Sequence, residues 1–218
     1  MKKTGKILTL VLCACLLVAI SIGATVAYLT STDEVTNTFT VGNVAITLDE
    51  ANVAYDTSDN VYVAQDGRTK TNSYKLLSGT ELAKDPTVTV LADSEACYVR
   101  ALVTVTYKTE ADVMLAENLW KDWIEGYDDS KWSFVEPVAT SESGDTTTRT
   151  YELRYANMVP AATADTVLPA IFTGIKIPGT LTNEQLALLD KLEINVKANA
   201  IQAGGFADAD AAWTAFDE

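Results

Sequence analysis

The sequence predicts a mainly β protein: an antiparallel β-sandwich of jelly-roll-like type, with a few short helices and an N-terminal signal helix. Several segments alternate apolar and polar residues with a period of two, which is typical of strands that bury one face. Turn-forming stretches such as YDTSDN and TSESGDTTT lie between these segments. Helical periodicity is confined to three short stretches. Together these patterns indicate sheets rather than a helical body.

The first 27 residues have the three parts of a secretory signal peptide. Three lysines precede a nearly unbroken apolar run, and small residues precede position 28. We therefore predict a signal peptide over residues 1–27, with cleavage between Ala27 and Tyr28. Two alternatives stay open: the apolar run 7–29 is long enough for an uncleaved membrane anchor, and Cys15 could carry a lipid. In each case we expect an exported protein, secreted into an extracellular matrix or held at the cell surface.

A strand pattern begins almost directly behind the signal. Val35, Phe39 and Val41 share one parity, and the apolar phase then shifts at Gly42-Asn43, residue types that suit a β-bulge. The segment over residues 34–41 and the strand over residues 43–49 can therefore present their apolar sides to different partners. Two interpretations remain open: the segment pairs within its own sheet, or it is donated to another copy of the chain.

The clearest alternation lies in the main body, predicted as a single β-sandwich domain over residues 34–204. In ACYVRALVTVTYK every second residue from Cys97 to Tyr107 is apolar, and most residues between them are polar. KLEINVKANA and TTRTYELRY repeat this pattern, and DPTVTVLA and FTGIKIP are shorter versions beside prolines. Many short strands separated by turns indicate a sandwich with jelly-roll-like connections.

Three stretches have helical spacing. TEADVMLAENLWKDWIEGY predicts a helix that begins at Thr109. Its buried stripe would consist of Val113, Ala116, Trp120 and Trp123. TNEQLALLD carries a capping box in Thr182 and Gln185. A helical tail is predicted over 205–218 and is expected to pack on the sandwich. Its stripe would consist of Ala209, Ala212, Trp213 and Phe216.

Composition limits the functions that this chain can have. It contains 30 acidic residues, 16 basic residues and no histidine. Three of the basic residues precede the apolar run, which leaves 13 in the exported part. This acidic surface would repel nucleic acid and anionic lipid, so membrane contact is expected only through the N-terminal segment. Without histidine, the Ser-His-Asp, Cys-His and HExxH arrangements cannot form.

We therefore assign no catalytic, metal-binding or cofactor-binding residue and expect no cofactor. Cys97 is expected on the apolar face of its strand, where burial suppresses thiol reactivity. DTSDN at 56–60 begins like a calcium loop, but Val61 and Gly67 occupy the positions that need glycine and glutamate. It is interpreted as a surface loop. The four tryptophans are interpreted as core residues rather than as a ligand platform.

The N-terminal stretch GATVAYLTSTDEVTNTFTVGNVAITL passes directly from an apolar signal into NTFTVGNV. It resembles the exported proteins of Gram-positive bacteria that the SipW-type signal peptidase processes, the TasA, CalY and camelysin group. KDPTVTV, ACYVRALVTV and INVKANAIQAGGF also look like segments of this family. The resemblance is most specific at the signal and first strand, whereas residues 110–170 match only in general character.

This resemblance implies a secreted, non-catalytic jelly-roll protein that assembles into biofilm-matrix fibres, with the SipW-type peptidase as its partner during export. In such fibres the N-terminal segment of one subunit completes a sheet in the next. Here that role would fall on residues 28–41, with Val35, Phe39 and Val41 as inserted side chains. Camelysin-like members imply a surface metalloendopeptidase as an alternative, although this chain offers no histidine to zinc. A surface module that binds carbohydrate or a host partner is a third possibility.

Overall fold

Two β-sheets dominate the computed structural model, which describes residues 42–218. The strands in this range are β1 (Ile46–Asp56), β2 (Val61–Thr69), β3 (Glu81–Ala83), β4 (Thr87–Val90), β5 (Cys97–Lys108), β6 (Ile124–Glu125), β7 (Trp132–Ser143), β8 (Thr146–Tyr155), β9 (Thr166–Val167), β10 (Gly174–Lys176) and β11 (Glu193–Gln202). The first sheet has the order β6-β10-β3-β2-β1-β4-β9, and the second has the order β11-β5-β8-β7. The predicted mainly β sandwich is confirmed.

The strand pairs are antiparallel, apart from a short parallel pair between β2 and β3. That pair departs from the predicted all-antiparallel arrangement and covers two residue pairs, Val61 with Glu81 and Tyr62 with Leu82. β11 pairs with β5 over ten residues, and β10 pairs with β3, although long stretches of chain separate these partners. Such crossed connections are those expected of a jelly-roll-like sandwich.

The core lies between the two sheets, where the alternation in β5 directs one face inward. Its alternate residues from Cys97 to Tyr107 are at most 1% exposed. From the other sheet, Val88, Val90 and Ile175 are buried in the same cluster. Because apolar side chains from both inner faces meet there, burial of this surface is the main force that holds the sheets together.

The helices of the described range are α1 (Asp112–Leu115), α2 (Asn183–Leu188) and α3 (Ala209–Asp217). The predicted capping box is confirmed at the start of α2: the Gln185 backbone N–H donates to Thr182 Oγ1 at 3.3 Å, and the Thr182 backbone N–H donates to Gln185 Oε1 at 2.9 Å. In residues 42–218, no helix has the length and apolar character needed to span a membrane.

The helix predicted from Thr109 is wrong in its continuity and partly wrong in its buried face, of which Trp123 is buried and Trp120 is partly buried. A 3₁₀ turn (Thr109–Ala111), α1 and a π-helical turn (Leu119–Trp123) occupy this stretch. Val113, which the prediction buries, is 83% exposed. The buried side chains recur every fourth residue: Ala111, Leu115, Leu119 and Trp123. A uniform spacing of 3.6 residues does not apply because tighter and wider turns interrupt the α-helix.

The tail helix α3 packs against the outer face of the second sheet. Trp213 is 1% exposed, and the Arg100 guanidinium of β5 lies 4.6 Å from the centre of its ring. The same guanidinium lies 4.9 Å from the Phe216 ring and donates to both carboxylate oxygens of Asp217, at 2.7 and 2.6 Å. Aromatic faces and a carboxylate thus enclose one arginine, which is the arrangement that suits a planar, delocalised cation.

Candidate functional site

The predicted N-terminal site residues fall outside the described part of the chain. Ala27 and Tyr28 at the predicted cleavage point, and the donor-strand candidates Val35, Phe39 and Val41, all precede residue 42. Cleavage and strand donation therefore stay predictions. Residues 42–218 form one compact unit, and the candidate site is a feature of that unit.

Of the strands in residues 42–218, β11 is the edge strand that combines length with regularity. It pairs with β5 through ten consecutive residues without a register shift. The opposite edge of this sheet is β7, whose register shifts between Val135 and Ala139 around Pro137, a residue without an N–H. The edge strands β6 and β9 of the other sheet have two residues each. Short strands, bulges and prolines protect sheet edges from pairing, so β11 is the edge best able to accept another strand.

A groove runs beside the first half of β11. It consists of two adjoining compartments of about 590 and 230 Å³, and both are lined by Glu50, Lys70, Lys84, Ile194 and Asn195. The apolar side chains that line only the larger compartment are Leu76, Leu82, Ile175, Leu186, Leu189 and Leu192, and they lie beside polar ones such as Thr71, Asn72 and Asp190. The apolar side chains that line only the smaller compartment are Leu48, Pro86 and Val196, and they lie beside Asp49 and Thr69. We refer to these residues together as the β11 groove.

A buried ion pair lies where the two compartments meet. Lys84 Nζ is 2.5 Å from Glu50 Oε2, and the two side chains are 11% and 8% exposed. Asn72 Nδ2 donates to Glu50 Oε1 at 3.0 Å and to the Ala51 carbonyl at 2.9 Å. Burying two charges costs free energy even when they pair, so this buried pair is a costly feature of the groove.

The Glu50–Lys84 pair was not predicted from the sequence, although the alternation in β1 indicates the inward position of Glu50. Val44, Ile46 and Leu48 share one parity and pack on the core. Glu50 continues the same parity and is 6% exposed. A carboxylate in phase with an apolar stripe must face inward, and it then needs a cationic partner. The partner, Lys84, comes from a loop 34 residues away, and no local pattern links the two.

Tyr62 and Tyr74 lie beside the groove, and their hydrogen bonds stabilise its wall. The Tyr74 hydroxyl donates to the Ala83 carbonyl at 2.9 Å, and the Tyr62 hydroxyl accepts from the Lys75 backbone N–H at 2.6 Å. Burial, with a further contribution from the Glu50 carboxylate, raises the pKa of Tyr74. This tyrosine therefore stays neutral near neutral pH and serves as a hydrogen-bond donor.

The remaining sequence candidates have structural roles. Cys97 is 0% exposed, and burial raises the pKa of its thiol. Trp132 and Trp213 are buried, and Trp120 packs edge-on against Phe134 with ring centres 4.8 Å apart. DTSDN forms the turn between β1 and β2, where Asp56 accepts a hydrogen bond from the Ser58 backbone at 2.8 Å. Within residues 42–218, no group of three or more Cys, Asp or Glu side chains is arranged to hold a metal ion.

Comparison of the chain with protein-family models, with curated proteins and with solved structures finds no match.

Proposed function

We propose that this chain is an exported, non-catalytic structural protein that assembles into fibres by strand addition. Residues 28–41 of one copy would pair with β11 of the next copy and insert alternate side chains into its β11 groove. Strand addition combines main-chain hydrogen bonds at a sheet edge with pockets for every second side chain. The proposal makes the protein a component of the cell surface or of an extracellular matrix.

The observation that carries this proposal is the combination of a regular ten-residue edge with a groove beside it. An edge alone supplies N–H and C=O groups but no selectivity. A groove alone would suit many ligands. Here Ile194 and Asn195 of β11 line both compartments, so a strand paired with this edge would pass over both of them.

The donor segment has the composition that this site requires. Val35, Phe39 and Val41 alternate with polar residues, and they lie a few residues before Gly42, where the described unit begins. The resemblance of the signal and first strand to the TasA, CalY and camelysin group also supports export and assembly. A membrane segment directly before the donor strand would also hold that strand back until the signal is removed.

The test compares substitutions on the two faces of the donor segment, in protein that begins at Tyr28. Phe39→Asp puts a charge on the inserted face, whereas the control Thr38→Asp puts the same charge on the opposite face one residue away. We expect fibres from the unsubstituted protein and from Thr38→Asp, but folded monomers from Phe39→Asp. Electron microscopy and analytical sedimentation measure this outcome. Fibres formed by protein that lacks residues 28–41 would refute the proposal.

A second candidate function uses the same groove. A cleft of about 590 Å³ that is lined by both apolar and polar side chains also suits a glycan or a peptide from another source, as in a cell-surface binding module. A protein that stays monomeric and binds such a ligand, measured by calorimetry, would favour this candidate over fibre assembly. No observation on residues 42–218 favours the metalloendopeptidase alternative.

A further inference from the structure

The donor segment carries one polar side chain inside its apolar stripe. Residues of the same parity are Val35, Asn37, Phe39 and Val41, so an asparagine amide lies between two large apolar side chains. An amide in this position loses its hydrogen bonds to water when the strand is inserted, and that loss is costly unless the binding site replaces them.

The β11 groove offers both apolar and polar surfaces to such a strand. Each compartment has apolar side chains beside polar ones, and the Glu50–Lys84 pair lines both compartments. Side chains two residues apart on a strand are spaced by about 7 Å, so three consecutive inward side chains would reach one compartment, the ion pair and the other compartment in turn. Placing Asn37 at the ion pair would put Val35 and Phe39 beside the apolar side chains of the two compartments.

The hydrogen-bonding capacity of Lys84 supports this placement. A lysine ammonium has three N–H donors. Among residues 42–218, the side-chain nitrogen of Lys84 has one partner, the Glu50 carboxylate. A strand laid over the groove would remove water from the remaining donors. An asparagine supplies an acceptor for Lys84 and a donor for Glu50, whereas valine supplies neither.

We infer that the Glu50–Lys84 pair selects Asn37 of the incoming strand and thereby fixes its register. This inference rests on the proposed function, since it concerns the same donor and groove. It also sets the direction of the strand. The larger compartment adjoins the start of β11 and the smaller one adjoins Val196, so Phe39 in the larger and Val35 in the smaller make the donor antiparallel to β11. A buried polar residue that fixes register has a precedent in coiled coils, where one asparagine does so.

The first test measures the critical concentration for fibre assembly of protein beginning at Tyr28. Asn37→Val should raise it about tenfold, which corresponds to about 1.4 kcal/mol, because the N–H donors of Lys84 that Glu50 does not accept would then be buried without an acceptor. Thr38→Val is the matched control: it makes a similar change on the opposite face and should leave the critical concentration within about twofold.

The second test changes the groove so that it should prefer an apolar residue over asparagine at position 37 of the donor. Glu50→Leu with Lys84→Met replaces the ion pair by apolar side chains of similar size, a change that buried pairs often tolerate. In that background Asn37→Val should lower the critical concentration instead of raising it, which demonstrates direct coupling.

Equal assembly by Asn37→Val and the unsubstituted protein would overturn the inference. In that case, loss of fibres from Phe39→Asp would still leave strand addition intact. Absence of fibres from the unsubstituted protein would instead overturn the proposed function and, with it, this inference. If the double substitution in the groove does not fold, Asn37→Asp gives a further test. It places a carboxylate beside Glu50 and should also raise the critical concentration, and no change would count against the inference.

Discussion

Replacing Trp213 with alanine should release α3 from the sandwich while the sandwich stays folded. Trp213 is 1% exposed, and truncating a buried tryptophan costs about 3–5 kcal/mol when the surrounding structure stays in place. Its contact with Arg100 adds about 0.5–2 kcal/mol. Besides Trp213, α3 buries only Ala212, so after the substitution the helix would be held mainly by the partly exposed ion pairs of Asp217 with Arg100 and of Asp210 with Arg154, which contribute little on their own. A nine-residue helix is not stable alone in water, so the released segment should unfold.

Hydrogen exchange with mass spectrometry distinguishes local release from global destabilisation. We expect amide protection in Ala209–Asp217 to fall at least about a hundredfold, and protection in β5 and β8 to change much less. Phe216→Ala is the matched control, because this ring also contacts Arg100 but is 43% exposed. It should reduce protection of α3 less than about tenfold. Unchanged protection of α3 in Trp213→Ala, or an equal loss throughout the sheet, would refute the reasoning.

Two further predictions concern buried and paired groups. In protein that begins at Tyr28, Cys97 should resist a thiol reagent in the native state and react once guanidinium unfolds the chain. Burial both shields this thiol and raises its pKa. Mass spectrometry measures the labelling, and rapid labelling of the native protein would contradict the buried position of Cys97. The pKa of Asp112 is lowered because the Tyr107 hydroxyl donates to it at 2.6 Å and Arg149 pairs with it at 3.0 Å. This group therefore stabilises the fold above its unfolded-state pKa of about 3.9 and loses that effect as the pH falls through its folded-state pKa. Asp112→Asn should make stability less dependent on pH below about 4, as measured by guanidinium unfolding, and an unchanged acid dependence would show that this carboxylate contributes nothing.

The strands that could be predicted from the sequence are those that bury one face along their whole length. In β5 the alternation from Cys97 to Tyr107 coincides with side chains that are all almost fully buried. Period-two patterning reports only which side of a strand faces the core. It does not identify the partner strand, and β11 pairs with β5 from almost a hundred residues away. The fold class was therefore predictable, whereas the order of strands in each sheet was not.

The β11 groove could not be predicted because its residues come from several separate parts of the chain. Glu50 in β1, Lys84 before β4 and Ile194 in β11 meet only when both sheets are assembled. The error between Thr109 and Trp123 has a different cause. There the period itself changes along the segment, and a template with one fixed period selects the wrong face, including the exposed Val113.

The sheet edges differ in length and regularity, and this difference bears on the proposed assembly at the β11 groove. In residues 42–218 the edges at β6 and β9 are two residues long, and β7 is interrupted at Pro137, whereas β11 is long and regular. In the proposed assembly, a long edge beside a groove with apolar pockets would otherwise pair with any strand that alternates apolar and polar residues. The ion pair of Glu50 and Lys84 would make such indiscriminate pairing costly, because a strand without a polar residue at that position would bury N–H donors of Lys84 without an acceptor. Glu50 and Lys84, whose burial costs folding free energy, would therefore restrict the groove to strands that carry a polar residue at that position.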